Sequence, residues 1–212
     1  GDKDAKKGLE VLVKIKQHLE EMQPVRTLGL SEEDKKYIKD LSLLSEKPVI
    51  YVCNVDDTSA VSGNAYSAKF AEATKSENTE VLVVAAALEA EIAELETEED
   101  RQVFLSDAGL IEPGVNFLIR AAYKLLNLST FFTAGPKEVR AWTIRTGMTA
   151  PQAAGVIHSD LERGFIRAEV MKYADFIALG SEQACKEKGK LSVEGKNYVV
   201  EDGDLLNIRF NV

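Results

Sequence analysis

Apolar positions change period several times along the chain, and each change predicts an element. Over residues 3–22, Ala5, Leu12 and Leu19 repeat every seven, as do Gly8, Ile15 and Met22. That spacing predicts a helix with a seam for a partner helix, stopped by Pro24. Ser31-Glu32-Glu33-Asp34 is a capping signature for a second helix over 32–43, with Tyr37, Ile38, Leu41 and Leu44 on one side. The period then collapses to a continuous β-branched run, PVIYVCNV at 48–55, which predicts a strand buried on both faces. A polar loop at 56–64, a helix at 64–75 and a second apolar strand at 80–86 follow. Helices are predicted at 88–95, 97–108 and 115–126, the last with Phe117, Leu118, Ala121, Ala122 and Leu125 as its stripe.

Beyond Leu128 the pattern becomes mixed. Strands are predicted at 129–134 and 138–144. A helix opens at Thr149-Ala150-Pro151-Gln152 and runs to about His158, and a further strand spans 164–173. Residues 181–188 read as helical, and 196–200 with 205–210 as a hairpin around Asp202-Gly203. The expected fold class is mixed α+β in three parts. These are a helical hairpin arm at 1–46, a partial α/β sheet at 47–127 and a β-grasp-like module at 128–212. Two strands do not make a covered sheet, so PVIYVCNV and EVLVVAA should leave an exposed edge that favours self-association.

Composition narrows the classes. The 212 residues are 45% hydrophobic and 29% charged, which excludes a disordered or collagen-like chain. Two cysteines make no disulfide framework, and the spacing of Cys53, Cys185, His18 and His158 suits no zinc site. No apolar run is long enough to span a bilayer and no basic-then-apolar leader is evident, so a cytoplasmic chain without a membrane partner is expected. Net charge is −9, all of it carried by residues 1–128. The C-terminal part is neutral overall, which leaves room for a local basic face.

The string TFFTAGPKEVRAWTIRTGMTAPQAAGVIHSDLERGFIRAEV (130–170), the ending GKNYVVEDGDLLNIRFNV, and upstream LEAEIAEL (88–95) and KPVIYVCNV resemble the YchF/Obg-like ATPase family over essentially the whole chain. The resemblance implies a P-loop nucleotide domain with an inserted coiled coil and a C-terminal TGS domain. It implies ATP or GTP binding with Mg2+, hydrolysis, and association with the ribosome or its RNA. The chain departs from the family in one respect: no G-x-x-x-x-G-K-[ST] occurs, since the only Gly-Lys pairs are 189–190 and 195–196. The chain is therefore expected to match the C-terminal portion of such a protein. With no phosphate-handling groups of its own it should carry no cofactor and no turnover alone. A stand-alone RNA- or protein-binding adaptor acting through the TGS module is the alternative.

The resemblance assigns site residues. Asn54, Val55 and Asp57 stand where P-loop GTPases read the base, with Asp57 where this family usually has Glu. Ala86, Ala87 and Leu88 occupy the backbone loop beside it. The plain alternatives are a polar loop capping a strand and a strand packing into a helix through small residues. Glu91, Glu94 and Glu98 read as a solvated helix face. In the C-terminal part Lys137, Arg140, Arg145, Arg163 and Arg167, with Lys172 and Arg209, form a basic set. Arg140 and Trp142 share a strand face suited to phosphate contact and base stacking, and the alternative is a core tryptophan among balanced charges.

Overall fold

A computed structural model describes residues 2–77, 79–135 and 138–211. The chain divides into two compact units, Gly1–Ala122 and Tyr123–Val212.

The first unit opens with α1 (Lys3–Glu20), capped by the Asp2 side chain. Its buried stripe is Gly8, Val11 and Ile15, which packs with Val25 and Ile38. The expected second row is a correction: Leu12 and Leu19 are exposed, as is Met22. The cause is what packs on α1. After Pro24 the chain folds back over a single i, i+3, i+7 stripe, so one face suffices. The expected helix over 32–43 is also corrected. Ser31 does cap α2, its hydroxyl accepting from the Asp34 N–H, but α2 spans only Glu32–Lys35. Two 3-10 turns, Lys39–Leu41 and Leu44–Glu46, replace the rest, separated by Ser42 at φ +49°. Tyr37 and Ile38 reach the small core, whereas Leu41 and Leu44 face solvent.

Strands β1 (Tyr51–Asn54) and β2 (Val81–Val84) pair in parallel, Tyr51 opposite Val81 and Asn54 opposite Val84. Burial on both faces is not observed. Val52 is 47% exposed and Tyr51 and Cys53 are half-buried, because no third strand joins this sheet among the described residues. Helix α3 (Ala65–Thr74) connects the strands and starts at a capping box formed by Asn64 and Ser67. Then come α4 (Ala86–Ala93), α5 (Glu98–Asp107, capped by Thr97) and α6 (Gly114–Leu125). Of the α6 stripe only Ala121 is buried; Phe117, Leu118 and Leu125 are exposed.

The second unit is a five-stranded mixed sheet in the order β4-β3-β7-β5-β6. Its strands are β3 (Leu128–Ala134), β4 (Val139–Arg145), β5 (Phe165–Lys172), β6 (Leu191–Glu194) and β7 (Asp204–Phe210). Helices α7 (Ala150–Ile157), opened by the expected Thr149/Gln152 capping box, and α8 (Ser159–Arg163) lead into β5. The core on the α7 side joins Phe131, Ile144, Phe165, Val170 and Leu206 with the α7 alanines. A second cluster of Met171, Cys185 and Leu205 lies under α9 (Tyr173–Leu179) and α10 (Glu182–Glu187).

The expected hairpin of 196–200 with 205–210 is not formed. β7 pairs in parallel with β3 and antiparallel with β5, while β6 at 191–194 pairs with β5. Residues near 199 contribute one isolated bridge, Thr149 to Val199. Asp202-Gly203 is nevertheless a turn. Gly203 sits at φ +82°, and the Asp202 carboxylate accepts from the Thr130 N–H at 2.7 Å. That bond holds the turn against β3 rather than between two halves of a hairpin.

Candidate functional site: the strand ends of the first unit

Parallel strands direct their carboxyl ends to one edge, where loops converge and ligands bind in α/β sheets. Here that edge is built by one side chain. The Asn54 Oδ1 accepts from the Ala86 N–H at 3.1 Å, and the Val55 N–H donates to the Val84 carbonyl at 2.9 Å. The loops after β1 and β2 are thereby tied together across 32 residues of sequence. Asp56 shapes the first loop. Its carboxylate accepts from the Thr58 hydroxyl at 2.7 Å and the Ser59 N–H at 3.0 Å. These bonds, Thr58 foremost, hold it below the usual carboxylate range. Asp57 opens the following 3-10 turn, exposed.

In the second loop Ala85 is buried, Ala86 and Ala87 are exposed and Leu88 is half-buried. As first-turn residues of α4, Ala87 and Leu88 have N–H groups with no acceptor inside the helix. An exposed carboxylate beside one strand end and open N–H groups at the other can accept from and donate to the edge of a planar base. Six predicted residues thus gather at one sheet edge: Asn54, Val55, Asp57, Ala86, Ala87 and Leu88.

Glu89 belongs to this region and carried no sequence signal of its own. Its Oε2 accepts from the Val115 N–H at 3.3 Å, so α4 caps α6. Gly114 lets the Glu89 carboxylate come close, since a Cβ there would displace it. Beside these residues lies a cavity of about 570 Å³, with Val52, Ala90, Ile92, Leu105 and Leu118 among its apolar walls. Glu91, Glu94 and Glu98 are exposed as expected, and no His/Cys/Asp/Glu group suited to a metal occurs among the described residues.

The basic set is not brought together. On β4 the residues alternate, so Arg140 and Trp142 point to the α7 side with Ile144, and Arg145 points to the other. The Arg140 guanidinium lies 4.0 Å from the Trp142 ring centre, and the indole N–H donates to the Thr133 hydroxyl. Trp142 also packs against the core, so both readings of it apply. Arg163 is held by Asp160 at 2.7 Å, and Arg167 and Arg209 flank Glu169 at 3.8 and 2.9 Å. Lys137 lies outside the described residues.

Lys172 is drawn into the interior network of this unit. Asp204, fully buried, accepts from the Lys172 ammonium at 2.6 Å, the Tyr198 hydroxyl at 2.7 Å and the Glu201 N–H at 2.9 Å. Burial pulls the Lys172 pKa down, but its bonds to Asp204, Glu201 and Tyr198 together outweigh burial and raise it. Burial, then the Asp204 bond, push the Tyr198 phenol up to about 12.

The chain thus presents the carboxyl edge of a two-stranded parallel sheet followed by a five-stranded mixed sheet. Residues 128–211 match the family model YchF-GTPase_C, described as a protein of unknown function (DUF933). The chain is 52% identical over its whole length to the Ribosome-binding ATPase YchF of Bacillus subtilis and to that of Escherichia coli O157:H7. Both alignments cover 58% of the relative. Among solved structures, the Schizosaccharomyces pombe YchF GTPase superposes with a TM-score of 0.83 at 35% identity, over 94% of this chain and 53% of that one. A GTP binding protein from Pyrococcus horikoshii superposes with a TM-score of 0.58 at 16% identity, a likeness of fold alone. The chain belongs to the YchF family and spans the C-terminal 58% of its curated relatives' length.

Proposed function

We propose that the chain supplies the base-side half of a nucleotide pocket and the C-terminal TGS module of a ribosome-associated NTPase. The observation that carries this reading is the Asn54–Ala86 tether, which joins the end of the strand leading to Asp57 to the first turn of α4. In it, Asp57 accepts N–H groups of the base, Ala87 and Leu88 donate backbone N–H groups, and Asn54 orients both loops. Val55 adds only apolar surface. The residues present fit a base. The chain contains no P-loop sequence, so the phosphates and their Mg2+ fall to residues outside it. The relatives' names divide between ATPase and GTPase. Asp57 can accept paired N–H groups from guanine, so GTP is read at least as well as ATP here.

Nuclear magnetic resonance titration of the 212-residue chain with ATP and GTP tests the site. Saturable amide shifts are expected at Ala86, Ala87 and Leu88, weakened about fivefold to tenfold by Asn54→Ala through loss of one organising bond. Shifts elsewhere, or an unchanged affinity in Asn54→Ala, would refute the assignment. The chain alone should show no magnesium-dependent turnover above a buffer blank. Cosedimentation with ribosomes tests the partner.

A further inference from the structure

The outer edge of β4 is open. Strands β3 and β4 pair without a bulge from Leu128–Arg145 to Ala134–Val139. The Thr146 N–H donates to the Asn127 carbonyl and the Gly135 N–H to the Glu138 carbonyl. In an antiparallel ladder the bonded pairs alternate, so Ile144, Trp142 and Arg140 spend their N–H and C=O groups on β3. Val139, Ala141 and Thr143 therefore aim both groups outward, as does the Arg145 N–H, while the Arg145 carbonyl accepts from the Met148 N–H at 3.2 Å. All four are exposed, Val139 by 74%, and no strand pairs with this edge among the described residues. The other edge strand, β6, is only four residues long. β4 has seven and contains neither a bulge nor a proline, the usual protections of an edge.

Charge indicates what this edge accepts. Arg145 makes no ion pair among the described residues, and Arg140 meets Glu138 only at 3.8 Å. Arg163, Arg167, Arg209 and Lys172 all sit against carboxylates. Exposed Lys186, Lys188 and Lys196 lie in or after α10 and after β6, at the opposite end of the strand order from β4, so they add no row of cations along this edge for a phosphate backbone to follow. The edge does offer backbone groups flanked by two arginines. We propose that the free edge of β4 takes an extended, acid-bearing peptide segment of another protein as a sixth strand. Main-chain bonds to the four outward residues hold it, and an acidic side chain near Arg145 sets its preference. The inference is independent of the nucleotide site.

The test uses the whole chain, a ten-residue Val/Thr-alternating peptide bearing two Glu residues, and the same peptide with Lys in their place. Amide exchange followed by nuclear magnetic resonance should show new protection at Ala141, Thr143 and Arg145. Arg140, Trp142 and Ile144 should be protected before and after. Ala141→Pro removes an outward N–H without touching the β3 ladder and should weaken binding at least about tenfold. The Lys peptide should bind up to about fivefold more weakly at low salt, and Arg145→Glu should reverse that preference. Absence of saturable binding, or a preference unchanged in Arg145→Glu, overturns the proposal even if Ala141→Pro fails to fold. Protection of the same amides by dimerisation without peptide, or by single-stranded RNA in place of peptide, overturns it in favour of those partners.

Discussion

Replacing Asp204 by alanine removes the acceptor at the centre of the second unit. Two of its three donors lose their acceptor. The Tyr198 hydroxyl and the Glu201 N–H each lose a bond to a carboxylate, at about 1.5 kcal/mol apiece near the lower end for charged acceptors. Lys172 adds little, since its side chain is 45% exposed and keeps Glu201 at 2.9 Å. The expected loss is about 3 kcal/mol. In a unit of this size that lowers the midpoint of thermal unfolding by roughly 12–24 °C. The assay is selective, because the chain has a single tryptophan, Trp142, and it lies in this unit. Its fluorescence during thermal or urea unfolding reports this unit. Asp204→Asn should lose less, about 1 kcal/mol, since an amide oxygen in the Oδ2 position still accepts from the Tyr198 hydroxyl and the Glu201 N–H and only its NH2 meets the Lys172 ammonium. A loss below about 1 kcal/mol in Asp204→Ala would show that the network does not hold the β5–β7 register.

Other outcomes follow from the same geometry. The Tyr198 pKa is raised in the folded state, from 10 to about 12, and that of Lys172 is also raised. Their stabilisation is complete below pH 10 and is lost as pH climbs through the folded values, so Trp142-monitored stability should fall from about pH 10 upward, and Tyr198→Phe should blunt the fall. Arg26→Ala breaks a half-buried pair with Glu77 at 2.5 Å and leaves Glu77 only the Tyr51 hydroxyl. It should cost about 1–2 kcal/mol and speed amide exchange in β1 and β2. Gly203→Ala should cost about 1 kcal/mol in the Trp142 assay, because alanine resists φ +82°.

Elements with a local cause were legible in the sequence. Thr149-Ala150-Pro151-Gln152 and Ser31 make the caps they spell, and β1, β2, α3 and α6 lie within a few residues of their patterns. What failed was pairing. The Asp202-Gly203 signal is a turn, but its preceding strand lies at 191–194, and Asp202 bonds to β3, 72 residues away in sequence. No local pattern carries that choice. The 173–179 helix was missed for a similar reason: strand β5 ends at Lys172, whose side chain is fixed by Asp204, and the chain turns into α9 at once. On α1 only Gly8 and Ile15 of the two expected heptad rows are buried, because the partner is an irregular segment that needs one stripe.

The candidate site divides the same way. Asn54 could be singled out only through the family resemblance, and its contact with Ala86 is a backbone contact that any residue there would offer. The basic set could not be judged by counting. Eleven cations against eleven acids in 129–212 gave no ranking among them. The ladder does give one. Glu169 sits opposite Asn207, next to the Arg167–Arg209 pair, and so engages both arginines; Lys172 lies opposite Asp204 and is drawn inward. Arg145 falls on an edge strand with no acid opposite, facing Leu128 across the ladder. Strand order therefore decides which of these arginines remains available, and Arg145 lies at the edge where backbone groups are also free.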